Sequence, residues 1–185
     1  MHEDGRVGGR AQNDDPIVQE ICYLANRAAA ELSAAGARDE ALATFQPSRR
    51  VMLIKRAPAM VPMGRVWRLG VILLDADARL YATGLTTRVL EPGRPGFQSL
   101  SAETRRMYRG AAFRGPFERG ETVNFDARPI PVQADELRGS SGPLFIRGSR
   151  VLVRWNASGG DDAAVGLDAY LAERVGLLIS PPEGT

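Results

Sequence analysis

A chain of 185 residues with one cysteine, Cys22, and one histidine, His2, has to hold itself together by burying apolar side chains. An intrachain disulfide needs a second cysteine, and a structural zinc site needs three or four Cys or His ligands, or two with a carboxylate. The length permits a purely hydrophobic solution. A single domain of this size buries about 70% of the surface its unfolded chain exposes, and 44% of the residues are hydrophobic. Fold expectations therefore rest on where the apolar residues recur.

Asp15-Pro16 is a sharp helix start. Asp accepts orphan amides as N-cap, and proline at the first helical position gives up only an N–H that has no partner anyway. Ile17, Ile21, Leu24, Ala28 and Leu32 form one apolar stripe, and Gly36 stands where a left-handed C-terminal cap falls. Asp39 to Phe45 reads as a shorter helix closed by Pro47. Val51 to Lys55 reads as a short strand, and Ala57 to Gly64, with Pro58 and Pro62, as a connection. Arg65 to Leu74 then forms one strand, paired across the polar loop Asp75 to Ala78 with Arg79 to Val89 in a β-hairpin.

A helix is expected from Ser101 to near Gly110 or Gly115, followed by strands at Glu121 to Phe125 and Ile130 to Gln133, the second an edge strand because of Pro129 and Pro131. Leu144 to Arg147 and Arg150 to Trp155 flank Gly148-Ser149, a two-residue type II′ hairpin turn. The last helix, Leu167 to Ile179, buries Leu167, Leu171, Val175 and Leu178 before Pro181-Pro182 stops it. Residues 1–14 are polar and expected to be a disordered leader. Residues 15–185 are expected to form a single α+β domain, a mainly antiparallel sheet with two hairpins and flanking helices.

The rare residues also exclude chemistries. His2 lies beside the first residue, so Ser-His-Asp and Cys-His catalysis lack a packed imidazole. Lys55 is the only lysine; Met52 stands three residues before it and no phosphate-loop pattern surrounds it, which rules out Ser-x-x-K acylation and P-loop binding. No cofactor or metal is expected. A net charge of +2 does not demand nucleic acid, although nucleic-acid binding stays open. The longest apolar run, Val71-Ile72-Leu73-Leu74, is far short of the ~18 residues of a membrane span. The acidic leader is unlike a secretory signal, and a cytoplasmic location without membrane attachment is expected.

Gly64 to Leu74 followed by Leu80-Tyr81-Ala82-Thr83-Gly84, together with Phe97-Gln98-Ser99, Ser101-Ala102-Glu103 and the ending Ala169 to Val175 with Pro181-Pro182-Glu183-Gly184, resembles a small family of high-GC bacterial proteins. The resemblance covers about two thirds of the chain and carries no catalytic motif. Members are sometimes labelled glutaminase, which implies an amide hydrolase. The residues that serine-dependent or amidotransferase-type enzymes of that name require are not in this sequence, so the resemblance transfers no catalytic residue.

Several groups are candidate sites. Ser140 and Ser141 offer hydroxyls in a flexible loop, without a nearby base. Asp75 and Asp77 resemble the start of a calcium loop, but Arg79 occupies the place of a third oxygen ligand. Glu103, Glu118, Glu121 and Asp126 are candidates for an acid and base pair. The loop Gly93 to Gly96, with Arg94, offers amides to an anion. Arg105, Arg106 and Arg109, with Arg114 and Arg119 beyond them, suit phosphates, with Tyr108 and Phe113 as stacking platforms, or simply form a solvated face.

The hairpin gives the leading candidate. Arg147 faces Arg150 and Phe145 faces Leu152, while Arg154 continues on the same side. Leu144, Ile146, Val151, Val153 and Trp155 fall on the core side. Arg147, Arg150 and Arg154 around an apolar floor of Phe145 point to a binding protein for an anionic ligand or an acidic partner surface, either a protein or a small anion. The competing reading is an internal ion cluster, completed by a carboxylate such as Asp126 or Glu121.

Overall fold

In the computed structural model, which describes residues 15–51, 54–93, 99–156 and 159–181, the first helix is α1 (Pro16–Ala34). It begins as Asp15 requires: the Asp15 carboxylate accepts the Ile17 amide at 2.9 Å. Its end is a complete Schellman cap, with the amides of Gly36 and Ala37 donating to Ser33 O and Leu32 O. Ile21, Leu24, Ala28 and Leu32 are buried, and Val18 is buried as well, while Ile17 is half-buried. The leader, with His2, and Arg94 lie outside the described residues.

The expected helix over Asp39 to Phe45 is instead a strand, β1 (Glu40–Gln46). Ala41, Leu42 and Ala43 are all buried. A strand covered on both faces shows a continuous apolar run without alternation, and its alanines mimic helix propensity. β2 (Arg49–Val51) and β3 (Ile54–Arg56) pair as a small antiparallel hairpin in place of one strand. The expected connection from Ala57 to Gly64 belongs largely to β4 (Ala59–Leu69), antiparallel to β1. Pro62 is tolerated because it lies opposite Ala43, where the register shifts between Leu42 and Ala43.

The expected single strand from Arg65 to Leu74 is broken at Gly70-Val71. β4 ends at Leu69, and β5 (Ile72–Leu74) follows the turn. Gly70 has φ +66°, and a Cβ there would stand 2.5 Å from the Tyr170 hydroxyl oxygen. That hydroxyl donates to Leu69 O at 2.6 Å and accepts from the Val71 amide at 3.0 Å. A continuous apolar run conceals a turn that a distant tyrosine holds.

β5 pairs with β6 (Leu80–Ala82) around an Asp75-capped turn, while β7 (Leu85–Arg88) pairs antiparallel with β8 (Thr122–Phe125). The expected long hairpin thus survives only over its first residues. α2 (Leu100–Phe113) starts from Ser99 as N-cap rather than Ser101. The expected strand at Ile130 to Gln133 does not form. β9 (Arg128–Pro129) is cut short by two donor-less prolines, and the helix α3 (Ala134–Arg138) follows. β10 (Leu144–Arg147) and β11 (Arg150–Val153) take the expected register, with Gly148 at φ +61°. β12 (Val165–Gly166) adds to β11, and α4 (Leu167–Ile179) keeps its expected limits, with Leu178 half-buried.

The chain is α+β, and its strand pairs are mainly antiparallel, with β1 and β8 a parallel exception. It folds as two compact units. One draws on Leu69–Ala82 and Pro129–Thr185 with the N-terminal segment up to Ala37. In it α1 packs on α4, α4 on β11, and α3 on β10. The other unit, Arg38–Arg68 and Thr83–Arg128, orders its strands β7-β8-β1-β4. Ala111 and Ala112 of α2 share a core with Ala41, Ala43, Val123 and Phe125. Leu42 and Asn124 fall on the opposite face, where the fully buried Asn124 donates to Glu40 Oε2 at 2.8 Å and accepts from Arg68. Among the described residues no helix is long and apolar enough to cross a membrane.

Two substitutions measure these local causes. Asp15→Ala should cost about 1 kcal/mol by loss of the cap. Tyr170→Phe should cost about 1–3 kcal/mol, because Leu69 O and the Val71 amide lose their shared partner. Urea unfolding reads both, and an unchanged midpoint for Tyr170→Phe would show that the hydroxyl does not hold the turn.

Candidate functional site

Arg147, Arg150, Arg154 and Phe145 lie in the compact unit that contains α1 and α4, and the structure brings Arg147, Arg154 and Phe145 together. Phe145 is 3% exposed, so it is no open floor. The Arg154 guanidinium lies 3.7 Å from its ring centroid. Between Arg147 and Arg154 stands Asp161, at 2.7 Å and 2.5 Å respectively. Arg154 also donates to Ser140 O at 3.0 Å and Gly142 O at 2.6 Å. Arg150 is exposed and forms no ion pair among the described residues.

The carboxylate is therefore neither Asp126 nor Glu121. It comes from a 3₁₀ turn, Asp161–Ala163. The Arg154 hydrogen bond holds the Asp161 carboxyl below the usual range, with Arg147 adding to it. The expected division of faces also changes: Leu152 is buried along with Phe145, and Trp155 is exposed, its indole N–H donating to Ala163 O at 2.8 Å. Alternation assumed one covered face, whereas α3 packs on β10 and both α1 and α4 on β11.

The other sequence candidates divide between structural work and free surface. Ser140 Oγ accepts the Gly142 amide at 3.0 Å, within its own loop. Asp75 accepts the amides of Asp77 and Arg79 at 3.0 Å and 2.8 Å, a hairpin turn. Glu121 and Asp39 both pair with Arg65. Glu118 and Glu121 line one cavity and Glu103 another. No group of three or more His, Cys, Asp or Glu suited to a metal occurs among the described residues. Beyond α2, Arg119 stacks on Phe113 at 3.3 Å and Arg114 donates to Pro58 O at 2.6 Å.

What remains is a cavity of about 310 Å³ beside β7, within the unit that contains α2. It is lined by Thr86, Thr87 and Arg88 of β7, Thr122 of β8, and Arg105, Tyr108 and Arg109 of α2. Arg105 and Arg109 are one helical turn apart and share a face. Tyr108 anchors that turn, its ring 4.9 Å from Phe45 and 4.7 Å from Phe125. Arg105 donates to Ser101 O at 3.2 Å, which folds it along its own helix. No carboxylate lines the cavity, and Arg88, Arg105 and Arg109 pair with none among the described residues.

Arg105, Tyr108 and Arg109 were legible as a helical face. Arg88 and the threonines were missed, because Thr86-Thr87-Arg88 reads as an ordinary half-exposed strand. Only the β7 and β8 register, which sets Arg88 against Thr122, brings them to the same place.

The two arginine groups should respond differently to substitution. Arg154→Gln should lower stability by about 1–3 kcal/mol, since Ser140 O and Gly142 O lose a charged donor, while Arg150→Gln should stay within about 0.5 kcal/mol. Asp161→Asn should remove a contribution present above the ordinary carboxylate pKa and lost as pH falls through the lowered one. The gap in melting temperature between parent and variant should therefore narrow as pH falls from neutral through the carboxylate range. A gap independent of pH would sink the ion-cluster account.

Comparison with protein-family models, curated proteins and solved structures gives no match for this chain.

Proposed function

We propose that this chain is a cytoplasmic binding protein that recognises an anionic group, phosphate or carboxylate, in the cavity between β7 and α2. The observation that carries the reading is three arginines, unpaired with carboxylates among the described residues, around one cavity that threonines also line. Like charges gathered in one place raise the free energy of the empty protein, and an anion relieves that repulsion. Guanidinium is a planar, always-charged donor that meets phosphate or carboxylate with two parallel hydrogen bonds. The cavity's volume, about 310 Å³, is at the lower end of ligand pockets. The lining supplies donors and hydroxyls, with no carboxylate or imidazole to take a proton, which favours binding over turnover. The single exposed thiol, Cys22, fits a reducing compartment.

Equilibrium dialysis against inorganic phosphate tests the reading. Arg88→Gln and Arg109→Gln should each weaken binding about tenfold or more, the worth of one charge-assisted hydrogen bond. Arg119→Gln, whose guanidinium sits on Phe113 outside the cavity, should leave it unchanged. Phosphate affinity that ignores Arg88 and Arg109 would overturn the site. Ammonia release from glutamine would favour an amide hydrolase, and binding of single-stranded DNA with a steep salt slope but not of phosphate would favour a nucleic-acid protein.

A further inference from the structure

Thr86, Thr87 and Arg88 are consecutive, yet all three line the same cavity. Successive side chains of a strand point to opposite faces, so a cavity that touches three in a row also reaches the strand's backbone, while Thr122, opposite Arg88 on β8, lines it from the paired side. β7 is the terminal strand in its sheet order, and its other flank has no strand beside it among the described residues.

The direction of the free backbone groups follows from the ladder. Val89 donates to Glu121 O at 2.9 Å and accepts from the Gly120 amide at 2.8 Å, so Val89 turns its hydrogen-bonding groups toward the β8 side. Alternation then turns those of Thr87 toward β8 and those of Thr86 and Arg88 outward. The Leu90 amide donates to Arg88 O at 2.9 Å, as a carbonyl facing away from β8 allows. The open flank therefore presents the Thr86 amide, the Thr86 carbonyl and the Arg88 amide, and Arg88, Arg105 and Arg109 line the adjoining cavity.

We infer that this edge takes up an extended acidic segment of a partner protein as an added strand, which rests on the proposed reading of the cavity as an anion site. Main-chain hydrogen bonds to Thr86 and Arg88 set the register, and carboxylates on the segment meet the arginines. Charge selects the occupant. A second copy of β7 would bring its own Arg88 to the same edge, and like charges across a strand pair are destabilising. An arginine on an edge strand also serves to ward off pairing altogether, and that alternative gives the opposite experimental result.

The test uses the full chain, a short peptide alternating glutamate and valine, the same peptide N-methylated at alternate amides, and inorganic phosphate. At saturation the plain peptide should slow amide hydrogen exchange at Thr86 and Arg88 about tenfold or more, while Thr87, already paired, changes little. N-methylation should weaken binding about tenfold or more, and Thr86→Pro, which removes only an outward N–H, should weaken the peptide and spare phosphate. Equal affinity for the two peptides, or unslowed exchange at Thr86 and Arg88 in the complex, would overturn strand addition. Phosphate binding that depends on Arg88, with no peptide binding, would leave the anion site standing and remove the strand. Failure of both phosphate and peptide to bind would remove the anion site itself.

Discussion

β1 is covered on both faces, and the candidate site is built outward from that burial. On one face Ala41 and Ala43 share a core with Ala111 and Ala112 of α2, and the rings of Phe125 and Tyr108 fill the space beside these small side chains. Falling on the other face, Asn124 satisfies its amide with Glu40 and the Ala41 carbonyl and receives Arg68. A buried amide in that position costs free energy unless its hydrogen bonds are made, so β8 is tied to β1 in one register. β7 pairs with β8 in turn, and the cavity is lined by both strands and by α2.

Arginine is abundant here, and its abundance says little about where a site lies. Pairing says more. Arg65 holds Asp39 and Glu121, Arg68 holds Glu40, and Arg154 with Arg147 holds Asp161. Each of these has its charge answered within the chain, and each ties together segments far apart in sequence or closes a loop. Arg88, Arg105 and Arg109 differ in having no such answer among the described residues. Two like-charged groups can thus look equivalent in a strand or helix pattern and differ completely in what they are free to do.

The hairpin of β10 and β11 shows how local and distant information separate. Its register, with Arg147 opposite Arg150 and Phe145 opposite Leu152, follows from a two-residue turn and period-two alternation. Whether its arginines stay open depends on a carboxylate that a short 3₁₀ turn delivers between Arg147 and Arg154. No periodicity marks Asp161 as that partner. Asp126 and Glu121 were the nearer guesses by strand and helix logic, and neither reaches the arginines.

Local chemistry alone determined the limits of α1 and α4, the Gly148-Ser149 turn and the α+β class, because caps, prolines and turn glycines act within a few residues of themselves. It also set how scarce imidazole, thiol and ammonium groups are, since the chain holds one histidine, one cysteine and one lysine. Tertiary structure decided the rest. It made a strand of an alanine-rich segment with helical propensity, since a place between β4 and β8 outweighs a few tenths of a kcal/mol per residue of intrinsic preference. It broke one apolar run at Gly70, where Tyr170 supplies the missing hydrogen bonds from a helix near the other end of the chain. And it gathered Arg88, Arg105 and Arg109 around one cavity, a juxtaposition set by strand register and helix packing, neither of which leaves a spacing in the sequence.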